Sequence, residues 1–313
     1  MRIDVHQHLW SEPLVAALSR RRRAPRVRRD GRLWLLELPG EPAGRIDVDG
    51  DDPERRAGLL ALDGVDRGLI SLSAALGIEA LPAEEAHPLL EGYAAGVAAL
   101  PRQFGSWAAL PLREARPRDV DRALDGGAEG VCLPAGALAT PAGLDRCGPL
   151  LERLELRSAP LFVHPGPDPW VAAAPSAELL PPWWPALTGS VSALQSAWHA
   201  FIAYGRPAHP NLRILFAMLA GGAPLHLERL AASGGPADRA IDRAIFYETS
   251  SYGARMIDAT VRVVGLDQLV YGSDRPTIAP YAPPGPLGEA AWQAMACANP
   301  ARLFKPTAAA LAA

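Results

Sequence analysis

Four residues with metal-binding side chains follow apolar segments that are typical of β-strands. His6 and His8 end the N-terminal segment, and His164 and Asp274 end two others. Residues at i and i+2 of a strand point to the same side, so both imidazoles can face one ion while Gln7 points away. Three neutral imidazoles and one carboxylate are a suitable ligand set for a divalent metal with room for a water.

A metal held in this way supports hydrolytic or lyase chemistry. It lowers the pKa of a bound water towards about 7 and polarises a substrate oxygen. Asp274 is the predicted catalytic residue, because a carboxylate beside such a water can serve as both ligand and proton acceptor. Arg275 follows directly, and its guanidinium either holds a substrate carboxylate through a bidentate pair or points outward, away from the site.

Eight apolar segments separated by helix-like stretches must bring these residues together. The segments do not alternate cleanly, which is typical of strands buried on both faces. Eight βα units in 313 residues predict one domain, a (β/α)8 TIM barrel over residues 1–313, whose strands converge on one mouth at their C-terminal ends. An open doubly wound sheet would instead carry a glycine-rich loop after its first strand. The predicted strands are 2–9, 65–73, 104–112, 128–135, 159–165, 211–219, 245–251 and 268–274, and the helix-like stretches include 84–100, 117–125, 143–157 and 223–233.

An insertion over residues 20–50 interrupts the repeat after the first strand. It combines an arginine cluster with the apolar stretch 33–38 and a turn at Pro39-Gly40, which predicts a small β-hairpin. An acidic stretch, 47–54, follows closely and is expected to neutralise the arginines. The formal net charge of −3 gives no global attraction to nucleic acid or to an anionic membrane, so neither is an expected partner.

The segment 166–190 is rich in proline and tryptophan and predicts a long loop after the fifth strand of the barrel. Loops on this rim of a barrel build the active site. Trp170, Trp183 and Trp184 are therefore candidate walls of a substrate pocket, with the alternative that they pin the loop to the barrel. Trp10, which follows the first strand, is a further candidate for substrate contact.

Composition restricts the class of protein. Hydrophobic residues make up 49% and charged residues 21% of the chain, which is typical of a globular protein in water. No apolar run reaches the roughly 18 residues needed to span a membrane. A strand begins almost at Met1, so we expect no signal peptide. Cys132, Cys147 and Cys297 are odd in number and far apart, which indicates reduced thiols and a cytoplasmic location.

Six short motifs are distributed over nearly the whole length of the chain: Asp4-Val-His-Gln-His-Leu, Val65-Asp-Arg-Gly-Leu-Ile-Ser-Leu-Ser, Leu161-Phe-Val-His-Pro-Gly, Arg213-Ile-Leu-Phe-Ala-Met-Leu-Ala-Gly-Gly, Tyr271-Gly-Ser-Asp-Arg-Pro and Asn299-Pro-Ala-Arg-Leu-Phe. Together and in this order they resemble the amidohydrolase superfamily, specifically its branch related to aminocarboxymuconate-semialdehyde decarboxylase. The hairpin at 26–48 also resembles an insertion common in that branch. The resemblance implies a (β/α)8 barrel, often a homodimer, with one zinc or alternatively manganese ion. The implied metal ligands are His6, His8, His164 and Asp274.

The resemblance also implies decarboxylation of an unsaturated or aromatic carboxylic acid, or hydrolysis of related compounds. Two positions depart from the pattern of the branch. Met218 stands in place of the usual sixth-strand histidine, an acid–base group worth about 10²–10⁴ in rate. Arg275 stands where an aromatic residue is common. Methionine cannot transfer a proton, so either Asp274 or another group replaces the histidine, or the chemistry differs.

Three hypotheses follow from these residues. The first is a metal-dependent decarboxylase of a small unsaturated or aromatic carboxylic acid. The second is a metal-dependent hydrolase of a lactone, ester or amide, and the third is a barrel that retains the metal without turnover and acts as a binding protein. The predicted substrate-binding residues are Trp10, Trp170, Trp184, Met218 and Arg275.

Overall fold

Eight parallel strands form one sheet that curves into a barrel, and three further strands form a separate antiparallel sheet. The computed structural model describes residues 1–48, 51–171, 181, 183–278 and 287–304. In chain order the strands are β1 Ile3–Gln7, β2 Arg26–Asp30, β3 Leu33–Glu37, β4 Gly44–Ile46, β5 Arg67–Ile70, β6 Phe104–Ala108, β7 Gly130–Pro134, β8 Leu161–His164, β9 Ile214–Phe216, β10 Ile245–Glu248 and β11 Leu269–Val270. The barrel has the order β1-β5-β6-β7-β8-β9-β10-β11, so each barrel strand lies beside the next one along the chain.

Backbone hydrogen bonds between β1 and the segment that follows β11 close the barrel. The amide of Val5 donates to the Tyr271 carbonyl at 3.0 Å, that of Asp274 to the His6 carbonyl at 2.9 Å, and that of His8 to the Arg275 carbonyl at 2.7 Å. Each of the eight predicted strands contains an observed one. The predicted (β/α)8 barrel is therefore confirmed.

The barrel is filled by side chains and leaves no pore at its centre. Alternate residues of the same strands point outward into a second apolar cluster beneath the helices, which explains why the strands lack a polar face. Trp107 fits inside because its indole N–H donates to the Val5 carbonyl at 2.8 Å. One residue from each strand, at most 1% exposed, forms the interior: Val5, Leu69, Trp107, Cys132, Phe162, Leu215, Phe246 and Val270.

The helices follow the strands on the outside of the barrel, and several begin with proline in the first turn, where its missing N–H costs nothing. The predicted helices 84–100, 117–125 and 143–157 are confirmed, and 223–233 begins with a 3-10 turn. The helical segments are α1 Glu12–Ser19, α2 Pro53–Leu62, α3 Ala83–Ala98, α4 Pro117–Asp125, α5 Ala135–Leu138, α6 Pro141–Leu156, α7 Trp183–Pro185, α8 Ser192–Ala200, α9 Arg206–Ala208, α10 Met218–Gly221, α11 Leu227–Ala232, α12 Ala254–Val264, α13 Gly288–Gln293 and α14 Asn299–Phe304.

The insertion differs from the predicted hairpin, because it has three strands and helix α1 separates it from β1. Strands β2 and β3 pair antiparallel, and the predicted turn at Pro39-Gly40 instead joins β3 to β4. Arg26 and Arg28 each bind Glu37 at 2.6 Å. Part of the arginine cluster is therefore neutralised from within the insertion rather than by the acidic stretch that follows it.

The predicted loop 166–190 ends in helix. Trp183–Pro185 is α7, and Ala186–Val191 is a π-helical segment that continues into α8. Residues 172–180 and 182 lie outside the described part of the chain. Trp183 and Trp184 are 56% and 41% exposed. No helix within the described ranges has the length and hydropathy needed to cross a membrane.

Glu79 is a buried carboxyl on the short 3-10 turn after β5, and it makes the stability of the fold sensitive to pH. It is 1% exposed, and neither side-chain oxygen has a hydrogen-bond partner among the described residues. Burial disfavours the charged form and raises the pKa of Glu79 to about 8. Glu79 is therefore neutral in the folded protein at neutral pH, whereas in the unfolded chain it ionises above its ordinary pKa of 4.5.

We expect the Glu79→Gln variant to lose less stability than the wild type as the pH rises from about 5 to about 8. Because the pKa is raised by folding, the stabilisation is complete below the unfolded pKa and is lost as pH rises towards the folded one. The difference reaches at most about 4 kcal/mol at ~1.36 kcal/mol per pH unit. The free energy of unfolding, measured by denaturant titration at both pH values, checks this. The exposed Glu114→Gln is the control, and parallel pH dependences of wild type and Glu79→Gln would contradict it.

Candidate metal centre

Three histidines converge at the C-terminal end of the barrel. His6 lies in β1, His8 directly follows it and His164 ends β8. The Nε2 atom of His8 lies 3.1 Å from that of His6 and 3.2 Å from that of His164. All three side chains are buried, and they form a group whose ring nitrogens can hold one metal ion.

Asp274 lies beside this group on the side of β11. Its Oδ1 atom lies 3.1 Å from His8 Nε2 and 3.7 Å from His6 Nε2. That oxygen is buried and accepts no hydrogen bond from the described residues. Asp274 has a left-handed backbone with φ of 55°, which aspartate tolerates, and its amide is bound to the His6 carbonyl. The barrel closure itself therefore presents the carboxylate to the imidazoles.

The donor set fits a divalent metal. A zinc ion lies about 2.1 Å from imidazole nitrogen, which places two ligand atoms of one ion about 3.0–3.4 Å apart. The distances of 3.1 and 3.2 Å among the Nε2 atoms and of 3.1 Å to Asp274 match this spacing. A buried carboxylate oxygen without a hydrogen-bond partner is also costly unless a cation binds it.

A hydrogen bond at the opposite ring nitrogen orients each imidazole. The Nδ1 atom of His6 lies 3.0 Å from Glu248 Oε2, that of His8 lies 2.9 Å from the Ser71 carbonyl, and that of His164 lies 2.8 Å from the Pro165 carbonyl. These oxygens can only accept, so Nδ1 carries the proton in each ring. The Nε2 lone pairs are then free for the metal, which is the arrangement found around bound metals.

An irregularity in β1 lets His6 and Val5 face the interior together. Strict alternation would place consecutive side chains on opposite faces, but the pairing of β1 with β5 shifts register between Asp4 and Gln7. The Asp4 carboxylate holds this shift, because its Oδ1 accepts the His6 amide at 3.1 Å and its Oδ2 accepts the Gln7 side chain at 2.6 Å. Gln7 points away from the imidazoles, as predicted.

The surrounding charges and burial keep Asp274 ionised and His164 neutral, which are the protonation states that metal binding requires. Burial alone raises the pKa of Asp274, but the neighbouring His6, His8 and His164 outweigh it and lower the pKa to about 2. Burial and the other two imidazoles hold the pKa of His164 well below its usual value. Asp274 is therefore ionised and His164 neutral at neutral pH. Burial lowers the pKa of His6, but the charges of Glu248 and Asp274 outweigh it and raise the pKa above the ordinary 6.5.

Glu248 is the residue of the site that sequence reasoning missed. It ends β10, is fully buried and binds His6. The sequence does carry a signal, because an acidic residue closes an apolar strand here as it does at Asp274.

Met218, predicted to contact substrate, lies in α10 beside this carboxylate. Its amide donates to Glu248 Oε2 at 3.2 Å. Although α10 is a helical turn by its hydrogen bonds, its residues have φ of 51°, 50°, 54° and 62°, so it is left-handed. The half-buried Met218 side chain packs against both apolar clusters of the barrel.

The other predicted substrate-binding residues have separate partners or surroundings in the structure. Arg275 forms a bidentate pair with Asp63, at 2.6 and 2.8 Å, and so takes the outward orientation of the two alternatives. Trp10 is half-buried, and its amide donates to Asp51 at 2.6 Å. The guanidinium of Arg146 lies over the ring of Trp170, 5.1 Å from its centroid. Trp184 is largely exposed. Contact of these residues with a substrate stays a prediction.

Comparisons with known proteins give structural relatives only. The sequence matches no known protein family and no curated protein. The fold is similar to IDCase of Metarhizium anisopliae, with a TM-score of 0.74, 16% identity and 97% of both chains covered. It is also similar to 5-carboxyvanillate decarboxylase of Sphingomonas paucimobilis, with a TM-score of 0.71, 20% identity and 98% of this chain and 99% of that chain covered.

A third similar structure is 5-carboxyvanillate decarboxylase of Novosphingobium aromaticivorans in complex with manganese and 4-hydroxy-3-methoxy-5-nitrobenzoic acid. Its TM-score is 0.69, its identity 15%, and 97% of this chain and 96% of that chain are covered. Because these identities are low, the likeness shows a shared fold. The barrel that the motifs implied is the barrel of these decarboxylases.

We expect purified protein to contain about one divalent metal ion per chain and the His6→Ala/His8→Ala variant to contain almost none. Removing two of the three clustered imidazoles leaves too few donors to hold an ion. Metal content by mass spectrometry checks this on untagged protein. His87→Ala is the control, because His87 is exposed on α3 and away from the site. A metal-free wild type that takes up none on addition would contradict the metal centre.

Proposed function

We propose that this chain is a metal-dependent enzyme that decarboxylates a small unsaturated or aromatic carboxylic acid without an oxidant. The observation that carries the proposal is the convergence of three imidazole Nε2 atoms and the Asp274 carboxylate at the mouth of the barrel. The shared fold with decarboxylases of aromatic acids supports the choice of reaction. An enzyme is favoured over a mere binding protein because each ligand side chain is oriented and buried.

The proposed ligands of one divalent ion are His6, His8, His164 and Asp274. Zinc is the first choice, because three imidazoles and a carboxylate suit it, and manganese is the alternative, supported by the metal in one structural relative. When bound, the ion supplies a Lewis acid that fixes the substrate carboxylate or a neighbouring oxygen.

Asp274 is the proposed proton carrier. Loss of carbon dioxide breaks a carbon–carbon bond, and a proton must replace the lost group on that carbon. Because its pKa of about 2 keeps Asp274 ionised at neutral pH, the carboxylate must first accept a proton. Water as the donor leaves hydroxide, which combines with the released carbon dioxide as bicarbonate, and a substrate hydroxyl group as the donor regains its proton from solvent. Asp274 can then deliver that proton to the carbon, and this needs no histidine at position 218.

The proposed substrate pocket lies on the rim around these ligands. Trp10 follows the proposed ligand His8 by two residues, and its amide is held by Asp51, so it is the predicted wall residue nearest to a proposed ligand in the chain. Trp170, Trp184 and Met218 are kept as further wall residues. The guanidinium of Arg275 already binds Asp63, and it would contact a substrate only by giving up that pair.

The second candidate is hydrolysis of a lactone, ester or amide. Met218 favours it, because attack by a metal-activated water needs one proton acceptor, and an ionised Asp274 can be that acceptor. For the protein as a whole we further propose a cytoplasmic homodimer. The cytoplasmic location is supported by the three free thiols, and the dimer by the sequence resemblance.

We expect the protein loaded with zinc or manganese to release carbon dioxide from at least one member of a panel of hydroxybenzoic and unsaturated dicarboxylic acids. The His6→Ala/His8→Ala variant should release none, because the ligand set is lost. Carbon dioxide detection and loss of substrate absorbance check this. Release of an acid or amine from neutral esters, lactones or amides, with no decarboxylation, would contradict the proposal and support hydrolysis. No turnover at all would support the third hypothesis, a metal-retaining binding protein.

Replacing Met218 tests whether this residue belongs to a working substrate pocket or whether the lack of a histidine here limits the enzyme. We expect Met218→His to lower kcat/KM by about tenfold or more, because a polar ring replaces an apolar side chain at a site where Asp274 moves the proton. Met218→Leu is the matched control, which should stay near the wild type since its volume and polarity are similar. A gain of about 10² or more in Met218→His would show that proton transfer, not the pocket, limits the present enzyme.

A further inference from the structure

We infer that Glu248 is the positioning residue of the metal centre, and that it joins the ligand His6 to the left-handed turn α10 that carries Met218. The inference rests on the proposed function, since it assigns Glu248 a role toward the metal ligands. No motif marked this residue in advance.

Glu248 is fully buried and accepts four hydrogen bonds. Its Oε2 atom accepts from the His6 ring at 3.0 Å, from the Met218 amide at 3.2 Å and from the Ser250 hydroxyl at 2.7 Å. Its Oε1 atom accepts from the Ser250 amide. The carboxylate is therefore surrounded by donors, and only an acceptor with two oxygens can satisfy all of them.

The bond to His6 determines which ring nitrogen faces the other ligands. With Nδ1 donating to Glu248, the His6 lone pair lies on Nε2, 3.1 Å from His8 Nε2. Among the described residues, Glu248 is the only carboxylate that accepts from an Nδ1 atom of the three rings, because the Nδ1 atoms of His8 and His164 donate to backbone carbonyls. A negatively charged acceptor makes the ring a stronger metal donor than a carbonyl does.

The hydrogen bond from the Met218 amide connects Glu248 to the turn α10. The turn α10 has left-handed φ at Met218, Leu219 and Ala220, a conformation that L-residues adopt only when the surroundings fix it. Its first amide is bound to Glu248, and the Gly221 carbonyl at its other end accepts from the Gln195 side chain at 2.9 Å. The position of Met218 and the orientation of His6 thus depend on one carboxylate.

A glycine on the neighbouring strand segment makes room for this carboxylate. A Cβ atom built at Gly272 would overlap the Glu248 side chain, including Oε1. The φ angle of Gly272 lies outside the left-handed region, so its backbone conformation is open to any residue. Space for Glu248, rather than backbone freedom, is therefore what requires glycine at this position.

The test measures metal affinity and does not need a substrate. We expect Glu248→Gln to weaken Zn²⁺ binding by about 10–100-fold, in a competition titration against a chelator of known affinity. The amide of the variant retains one acceptor oxygen. Its NH₂ group replaces the other oxygen and faces donors that in the wild type bind a carboxylate oxygen. The visible absorption spectrum of the Co²⁺-loaded variant should also change, since His6 is no longer held. The exposed Glu114→Gln is the matched control and should bind both metals as the wild type does.

A double-mutant cycle tests whether Gly272→Ala changes the Zn²⁺ affinity through Glu248. It keeps the inference testable if the Glu248→Gln variant folds poorly. Gly272→Ala should weaken Zn²⁺ binding in the wild type, because the added methyl displaces the carboxylate. The same substitution should cost little further affinity in a Glu248→Ala background, where the space is empty. Equal affinities of wild type and Glu248→Gln, or equal effects of Gly272→Ala in both backgrounds, would overturn the inference and leave the proposed function intact. A wild type that binds no metal would overturn both.

Discussion

The structure depends on burying three imidazoles and one carboxylate at the mouth of the barrel without leaving their polar atoms unpaired. An unpaired polar group out of water costs free energy that a barrel of this size cannot absorb repeatedly. Each ring therefore donates from Nδ1 to an oxygen of the surrounding frame. The Nε2 lone pairs of the three rings and Asp274 Oδ1 still face the centre of the site. A divalent cation is the partner that can satisfy all of them.

Polar and charged side chains also surround this centre on the side of β1. Asp4 binds the His6 amide and Gln7, and Gln7 in turn accepts from the buried Arg56 of α2. Burial raises the pKa of Asp4 to about 6. The same side holds the Arg275–Asp63 pair, which ties the end of the barrel to α2. The ligands at the start and end of the chain thus share one polar framework.

The Met218 position shows how surrounding contacts hold a strained turn in place. The turn that carries it is left-handed and bonded to Glu248, so the backbone holds residue 218 beside the carboxylate that binds His6. Strain of this kind persists where surrounding contacts fix it, and such places are commonly functional.

The sequence by itself determined the barrel and the candidate ligands at its mouth, because buried strands appear as apolar runs and residues with metal-binding side chains stand at their ends. His6, His8, His164 and Asp274 are readable in this way. Only the tertiary structure decided the partner of Arg275, the third strand of the insertion and the role of Glu248. These depend on contacts between residues far apart in the chain, such as Arg275 with Asp63 and Glu248 with His6. Local sequence patterns carry no information about which distant side chain satisfies a buried polar group.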